Sequence, residues 1–255
     1  MAVSDDRKYT KEFIYNLLEG VKGKTLGEVD KSHQFARTKS SGKITGIAGD
    51  VIEQSVFGYA RDSKQECDIE IDGTLTELKT TGVRVPKSEL KNAIGKTGSE
   101  YHVFLRAKEG ISITGVTFEP DIQYDFMTSH FWEKSKRLLI VFYEYKSYSV
   151  VPASEYSKFP IIDYCYNTFS DEERNKLQKD WEIVRDYLQN IYQLYKTQDE
   201  RNKNLQGFTH ILRPELMLIE LVPGFKKRPS GSYQKPRYRL KQTFVDYIVR
   251  GHFNK

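Results

Sequence analysis

Apolar positions fall at helical spacing near the start of the chain. Phe13, Ile14, Leu17 and Leu18 share one face, which predicts a helix from Thr10 to about Val21, closed by Gly20 and Gly23. Lys31 to Gly46 is polar, basic and rich in Ser and Gly, and reads as a loop. A second stripe, Ile47, Val51, Ile52 and Val56, predicts a helix to about Phe57 with Gly58 as its stop. The period then changes. Cys67, Ile69 and Ile71 alternate with Asp68 and Glu70, Asp72-Gly73 is a favoured two-residue turn, and Thr74 to Thr80 alternates again, which together predict a hairpin.

Further strand-like runs are Tyr101 to Arg106, Gly110 to Phe118 and Arg137 to Val151. Leu138 to Tyr143 is apolar on both faces and predicts a central strand. Ser170 with Glu173 forms a capping-box pattern that opens a long helix from about Asp171 to Tyr195. Phe208 to Leu221 reads as mostly strand-like around a break at Pro214. Tyr238 to Phe253 closes the chain, with Phe244, Ile248 and Val249 on one helical face. No internal repeat or long linker interrupts this order. It predicts one α/β domain over residues 1–255, built on a mixed central sheet flanked by helices.

Composition narrows the class. Aromatic residues make up 13% of the 255 residues, enough apolar surface to offset chain entropy and to exclude disorder as the default. No apolar run is long enough to span a bilayer, and Met1 to Tyr9 is too polar for a secretory signal. Cys67 and Cys165 suggest neither a disulfide framework nor a zinc site. The five histidines are scattered, and no Gly-rich phosphate loop is present. Trp132 and Trp181 are expected in the core. A reduced, cytoplasmic, non-membrane protein is the expectation.

The net charge of +5 is local. Lys226 to Lys241 holds seven basic residues and no acidic ones. Removing these seven from the 40 basic residues leaves 33 against 35 acidic ones, a net of −2. Tyr233 and Tyr238 interleave the run and Pro229, Gly231 and Pro236 break it, so it reads as a loop that either meets a polyanion or is simply solvated.

Chemistry concentrates on the hairpin. Glu77 and Lys79, two apart on a strand, share a face. With Asp72-Gly73 as the turn, the register sets Asp68 opposite Glu77. Like charges so placed destabilise a sheet unless a proton or a cation intervenes. Oxygen-only ligands with room for water suit Mg²⁺, and Lys79 could orient an attacking water. The spacing alone equally fits a solvated Glu–Lys pair on a hairpin face.

Several landmarks in order go further. Gly49-Asp-Val-Ile-Glu53 through Phe57-Gly58, Asp62-Ser-Lys64, Asp68 and Glu77-Leu-Lys79 resemble the active-site region of the MutH family of the PD-(D/E)xK nuclease superfamily. That family comprises the MutH mismatch-repair endonuclease and GATC-cutting type II restriction enzymes. Thr128-Ser-His130 with Lys134 and Lys136-Arg137, the Asp180-Trp181-Glu182 helix, Arg213-Pro214 and the closing Leu240-Lys241-x-x-Phe244 are similar to its later landmarks. The resemblance implies a PD-(D/E)xK restriction-endonuclease-like fold. It implies that Glu53, Asp68, Glu77 and Lys79 form a catalytic set, joined by Lys134, with Asp68, Glu77 and Glu53 toward the metal, and that Arg213 contacts DNA. With Glu215, Lys235, Arg237, Arg239 and Lys241 it makes the expected DNA-binding set.

The chain also departs from the family. The Asp68–Glu77 interval is two residues longer than in MutH. Glu215 stands where MutH has a lysine implicated in base recognition; a carboxylate there can accept from cytosine N4. Arg239 stands where MutH has a tyrosine that senses adenine methylation. The function implied is a Mg²⁺-dependent type II restriction endonuclease acting on double-stranded DNA at GATC or a related site. It would be a monomer or a DNA-induced dimer, with a cognate methyltransferase in the same system. Ending at Lys255, the sequence is expected to carry no second, silent domain. A strand-nicking mismatch-repair endonuclease and a catalytically inactive DNA-binding module are the alternatives.

Overall fold

The structure, a computed structural model, describes residues 7–40, 44, 46–60, 66–212, 214–224 and 231–254. The chain divides into two compact units. The first comprises Met1–Glu109, Arg137–Asn167 and Asp246–Lys255; the second comprises Gly110–Lys136 and Thr168–Val245.

In the first unit a mixed sheet runs in the order β1 (Lys8–Tyr9), β2 (Ile69–Ile71), β3 (Thr74–Arg84), β6 (Arg137–Glu144) and β7 (Ile161–Thr168), with β4 (Arg106–Ala107) also on β3. β1 is parallel to β2, β2 antiparallel to β3, and β3 parallel to β6. The hairpin forms at the predicted turn. Asp72 and Gly73 both take positive φ, 48° and 75°, the pairing of angles whose twist matches the flanking strands. It sets Ile71 against Thr74 and Ile69 against Thr76. The apolar run Leu138–Tyr143 is buried throughout and lies between β3 and β7. Helix Lys11–Glu19 starts where Thr10 accepts from the Phe13 N–H, and its Ile14 and Leu18 join Val51, Ile52, Phe57, Ile69, Leu78, Leu139 and Val141 in one core.

In the second unit an antiparallel sheet runs β5 (Ile111–Gly115), β9 (Arg237–Leu240), β8 (Ile219–Val222). Helix Asp171–Leu194 begins at the predicted capping box of Ser170 and Glu173. Trp181 is fully buried against Phe126, which also meets Trp132. The neighbouring Asp180, fully buried, accepts from the Met217, Leu218 and Ile219 N–H groups at 2.7, 2.6 and 3.0 Å. A buried carboxylate is tolerated when hydrogen bonds replace its water, and here they fix the entry into β8. Among the described residues no helix is long and apolar enough to cross a membrane.

Four local readings are corrected. Gln34–Lys39, within the expected loop, is a 3-10 helix because Asp30 accepts from the Gln34 and Phe35 N–H groups. Gly98–His102 is helical where Tyr101–Arg106 reads as a strand. Leu105 is buried but Val103 is exposed, so their alternation marks no sheet face. Helix Gln198–Leu212 covers the first part of the run Phe208 to Leu221. Thr197 and Glu200 cap each other at its start, and it ends two residues before Pro214. The end of the basic run is not loop but β9, and the closing helix begins only at Gln242.

One partly exposed ion cluster makes the first unit's stability depend on pH. Burial alone would raise the Asp163 carboxyl, but bonds from His252 and Lys22 pull it down to about 2. A folded value below the unfolded one, near 3.8, gives stability that is present above pH 4 and lost as pH falls toward 2. Asp163→Asn should therefore flatten the acid limb of a stability–pH curve between pH 4 and 2. An acid limb as steep as wild type would disprove the assignment.

Candidate active site and nucleic-acid interface

The helix that opens with Ile47–Val51 widens into a π turn over Ile52–Val56, where the Phe57 N–H reaches back five residues to the Ile52 carbonyl at 2.9 Å. Single π turns recur at functional sites because they re-aim a side chain. Glu53 sits in this turn, half-buried. Its Oε1 and the Thr80 hydroxyl of β3 both lie within 4 Å of where a side chain on Gly49 would begin. Glycine thus leaves ordinary room for the Glu53 carboxylate beside β3.

β2 stops at Ile69, and the residue before it takes over the ladder. Asp68 Oδ2 accepts from the Leu78 N–H at 2.9 Å. The predicted register holds as far as Ile69 opposite Thr76, and the Asp68 side chain then meets β3 at Leu78, next to Glu77. Leu78 turns into the core while Glu77 and Lys79 turn to the opposite face of β3. Glu77 is only 2% exposed, and its Oε1 accepts from Lys79 Nζ at 2.5 Å. Burial would lower the Lys79 ammonium, yet the charges of Glu77, Asp68 and Glu53 raise it above the ordinary lysine value. Lys79 therefore stays protonated at neutral pH. In that form it can donate and offset negative charge.

Tyr59 adds a residue that spacing did not reveal. Its N–H donates to the Glu53 carbonyl at 3.2 Å. Burial, then the charges of Asp68 and Glu53, push its phenol far above the ordinary range, so it too remains a donor. Among the described residues no three His, Cys, Asp or Glu side chains converge as a ready metal-binding group. The donor chemistry nevertheless fits a hard divalent cation. Three carboxylates act on one ammonium, leaving an excess of negative charge from oxygen ligands alone.

Lys134 belongs to the second unit. It is buried on helix His130–Ser135, which starts where Ser129 accepts from the Trp132 N–H. Arg213 and the Asp62–Lys64 landmark lie outside the described residues, as does 226–230 of the basic run. Glu215 is exposed in a turn.

The rest of the basic set divides in two. Arg239 donates through Nε and Nη2 to buried Glu220 Oε1 at 2.8 and 2.7 Å, and Lys241 donates to the Leu216 carbonyl. Lys235 and Arg237 are exposed and make no ion pair among the described residues. Their backbone is firmly held. Asp199 accepts from the Tyr233 N–H at 2.6 Å, Asn202 and Gln206 donate to the Tyr233 and Gln234 carbonyls, and the Val116 N–H donates to the Pro236 carbonyl. A groove of about 720 Å³ opens beside them, lined by Thr117, Gln198, Asn202, Tyr233, Lys235 and Arg237. None of these clamps has a local sequence signal.

A mixed α/β sheet carrying Asp68 and Glu77-Leu-Lys79 on its hairpin is the layout of the PD-(D/E)xK nucleases. Residues 57–180, just under half of the chain, match the family described as DNA mismatch repair enzyme MutH, the family its sequence landmarks resemble. It is also 28% identical over 180 residues to the type II restriction enzyme Sau3AI of Staphylococcus aureus. That alignment covers 70% of this chain and 31% of that enzyme, so the chain spans about a third of its relative's length.

The split of the basic residues can be measured without DNA. Arg239→Ala removes two charge-assisted hydrogen bonds from the buried Glu220 carboxylate. Because Arg239 is partly exposed, the loss in chemical denaturation should be on the order of 1–2 kcal/mol, below the range for fully buried pairs. Arg237→Ala should stay within about 0.5 kcal/mol of wild type. Equal effects of the two would contradict the division.

Proposed function

We propose that the protein is a divalent-metal-dependent DNA endonuclease of the type II restriction kind, cutting double-stranded DNA at a short specific site with Mg²⁺. The observation that carries this reading is the arrangement of Glu77 and Lys79 on β3 with Asp68, which precedes β2 and bonds to the Leu78 N–H, and with Glu53 in their field. The similarity to Sau3AI favours restriction over mismatch-repair nicking. Asp68, Glu77 and Glu53 would hold the cation, which supplies Lewis-acid charge at the scissile phosphate and a more acidic water.

The chain's own groups then have distinct roles. Lys79, kept protonated, orients the attacking water and offsets charge developing on the phosphate. Glu77 holds Lys79 in place. In the hydrolysis the water oxygen bonds to phosphorus in line as the bond to the 3′ oxygen breaks, the water giving up a proton to solvent and the departing 3′ oxygen taking one up. Lys134 is a further candidate at the centre. Both units would serve one nuclease domain. Lys235 and Arg237 would contact phosphates, Glu215 would accept from a base, and Arg213 would be a further DNA contact. The enzyme would act as a monomer or a DNA-induced dimer, beside a methyltransferase that protects its site.

Incubation with unmethylated plasmid and Mg²⁺ tests the reading. Rapid linearisation is expected. Slow nicking that needs an added activator would indicate the repair alternative. Asp68→Ala and Lys79→Ala should abolish cleavage while DNA binding persists, and either variant cutting at the wild-type rate would refute the site. Neutralising Lys235 and Arg237 should weaken binding and flatten its salt dependence by about one unit of slope for each phosphate no longer neutralised. An unchanged slope would remove them from the interface.

A further inference from the structure

The Tyr59 side chain is buried, with 8% of its surface exposed, and its hydroxyl has no hydrogen-bond partner among the described residues. A buried donor left without an acceptor is costly and calls for a physical reason, such as an ordered water or a functional role. The ring cannot readily swing out to find one. Arg7, anchored to the Ala60 carbonyl, lies over its face with the guanidinium carbon 4.5 Å from the centroid. The Phe57 ring flanks it at 6.4 Å, and its backbone is tied to Glu53. The hydroxyl is thus fixed in position, and the charged groups acting on it include Asp68 and Glu53 as well as Arg7.

We infer that Tyr59 is a positioning residue of the candidate nuclease centre, whose hydroxyl donates to a water held with Glu53 and Asp68 when a divalent cation is bound. The inference rests on the nuclease reading. It goes further by adding to the carboxylates a neutral donor, which cannot ligate the cation's charge but can fix the direction of a water in its shell.

Tyr59→Phe removes the hydroxyl and leaves the ring and its packing. Three measurements decide the matter: thermal stability, calorimetric titration with Mg²⁺, and steady-state cleavage of plasmid DNA. The melting temperature should be unchanged or slightly raised, because the variant buries one orphan donor fewer. The affinity for Mg²⁺ should fall several-fold, and kcat should fall tenfold or more while KM for DNA stays within twofold. Wild-type Mg²⁺ affinity together with wild-type kcat would overturn the inference. So would a fall in melting temperature that accounts for the lost activity. If the unaltered protein cuts no DNA with Mg²⁺ or Mn²⁺, the nuclease reading fails by itself. The cation titration then still shows whether the hydroxyl serves a metal-bound water.

Discussion

The environment of Leu78 organises the first unit. Its side chain lies in the core, its N–H is taken by the Asp68 carboxylate, and its strand is held between β2 and β6. A pleated strand so fixed leaves its neighbours no choice of face. Glu77 and Lys79 must turn together to the other side, where burial forces them to pair. A one-residue slip of β3 would turn both charges into the apolar core and Leu78 toward the acidic side. The chemistry of the site is therefore protected by the same apolar contacts that make the sheet.

The second unit uses the complementary device, in which polar side chains hold backbone at and beyond the ends of the strand ladder. Asp180 gathers three successive N–H groups at the entry to β8. Asp199, Asn202 and Gln206, spaced at three and four residues on one helix face, hold 233–234. Gly224 passes so close to Gln234 that any side chain there would strike its carbonyl. The ribbon bearing Lys235 and Arg237 is presented in a defined conformation. Preorganisation of this kind reduces the ordering cost of contacting a rigid polyanion.

The contrast between the units explains what the sequence revealed. The hairpin was legible because Asp72-Gly73 carries its turn chemistry locally, and that turn dictates the register down to Ile69 and Thr76. The central strand Leu138–Tyr143 and the Ser170 cap were legible for the same reason. Glu220 under Arg239, the Asp180 clamp and the Tyr59 hydroxyl were not, because each depends on a partner distant in sequence or on burial. The Thr197–Glu200 cap did carry a local signal, and the alternation around Phe208 masked it. The basic run shows the limit of counting charges. Composition gives Arg239 and Arg237 equal weight, whereas the fold commits one to Glu220 and leaves the other exposed.

The π turn at Ile52–Val56 also sets the phase of the chain. It holds one residue more than an α-helical turn would, and each residue advances a helix by about 100°. The extra residue lets Glu53 reach β3 while Phe57 still drops into the core and Tyr59 follows it. Shortening the turn by one residue would preserve the composition of the segment almost entirely, yet it would rotate the acidic group and the aromatic pair out of step. The site's geometry is thus encoded partly as a residue count, a property that no individual side chain carries.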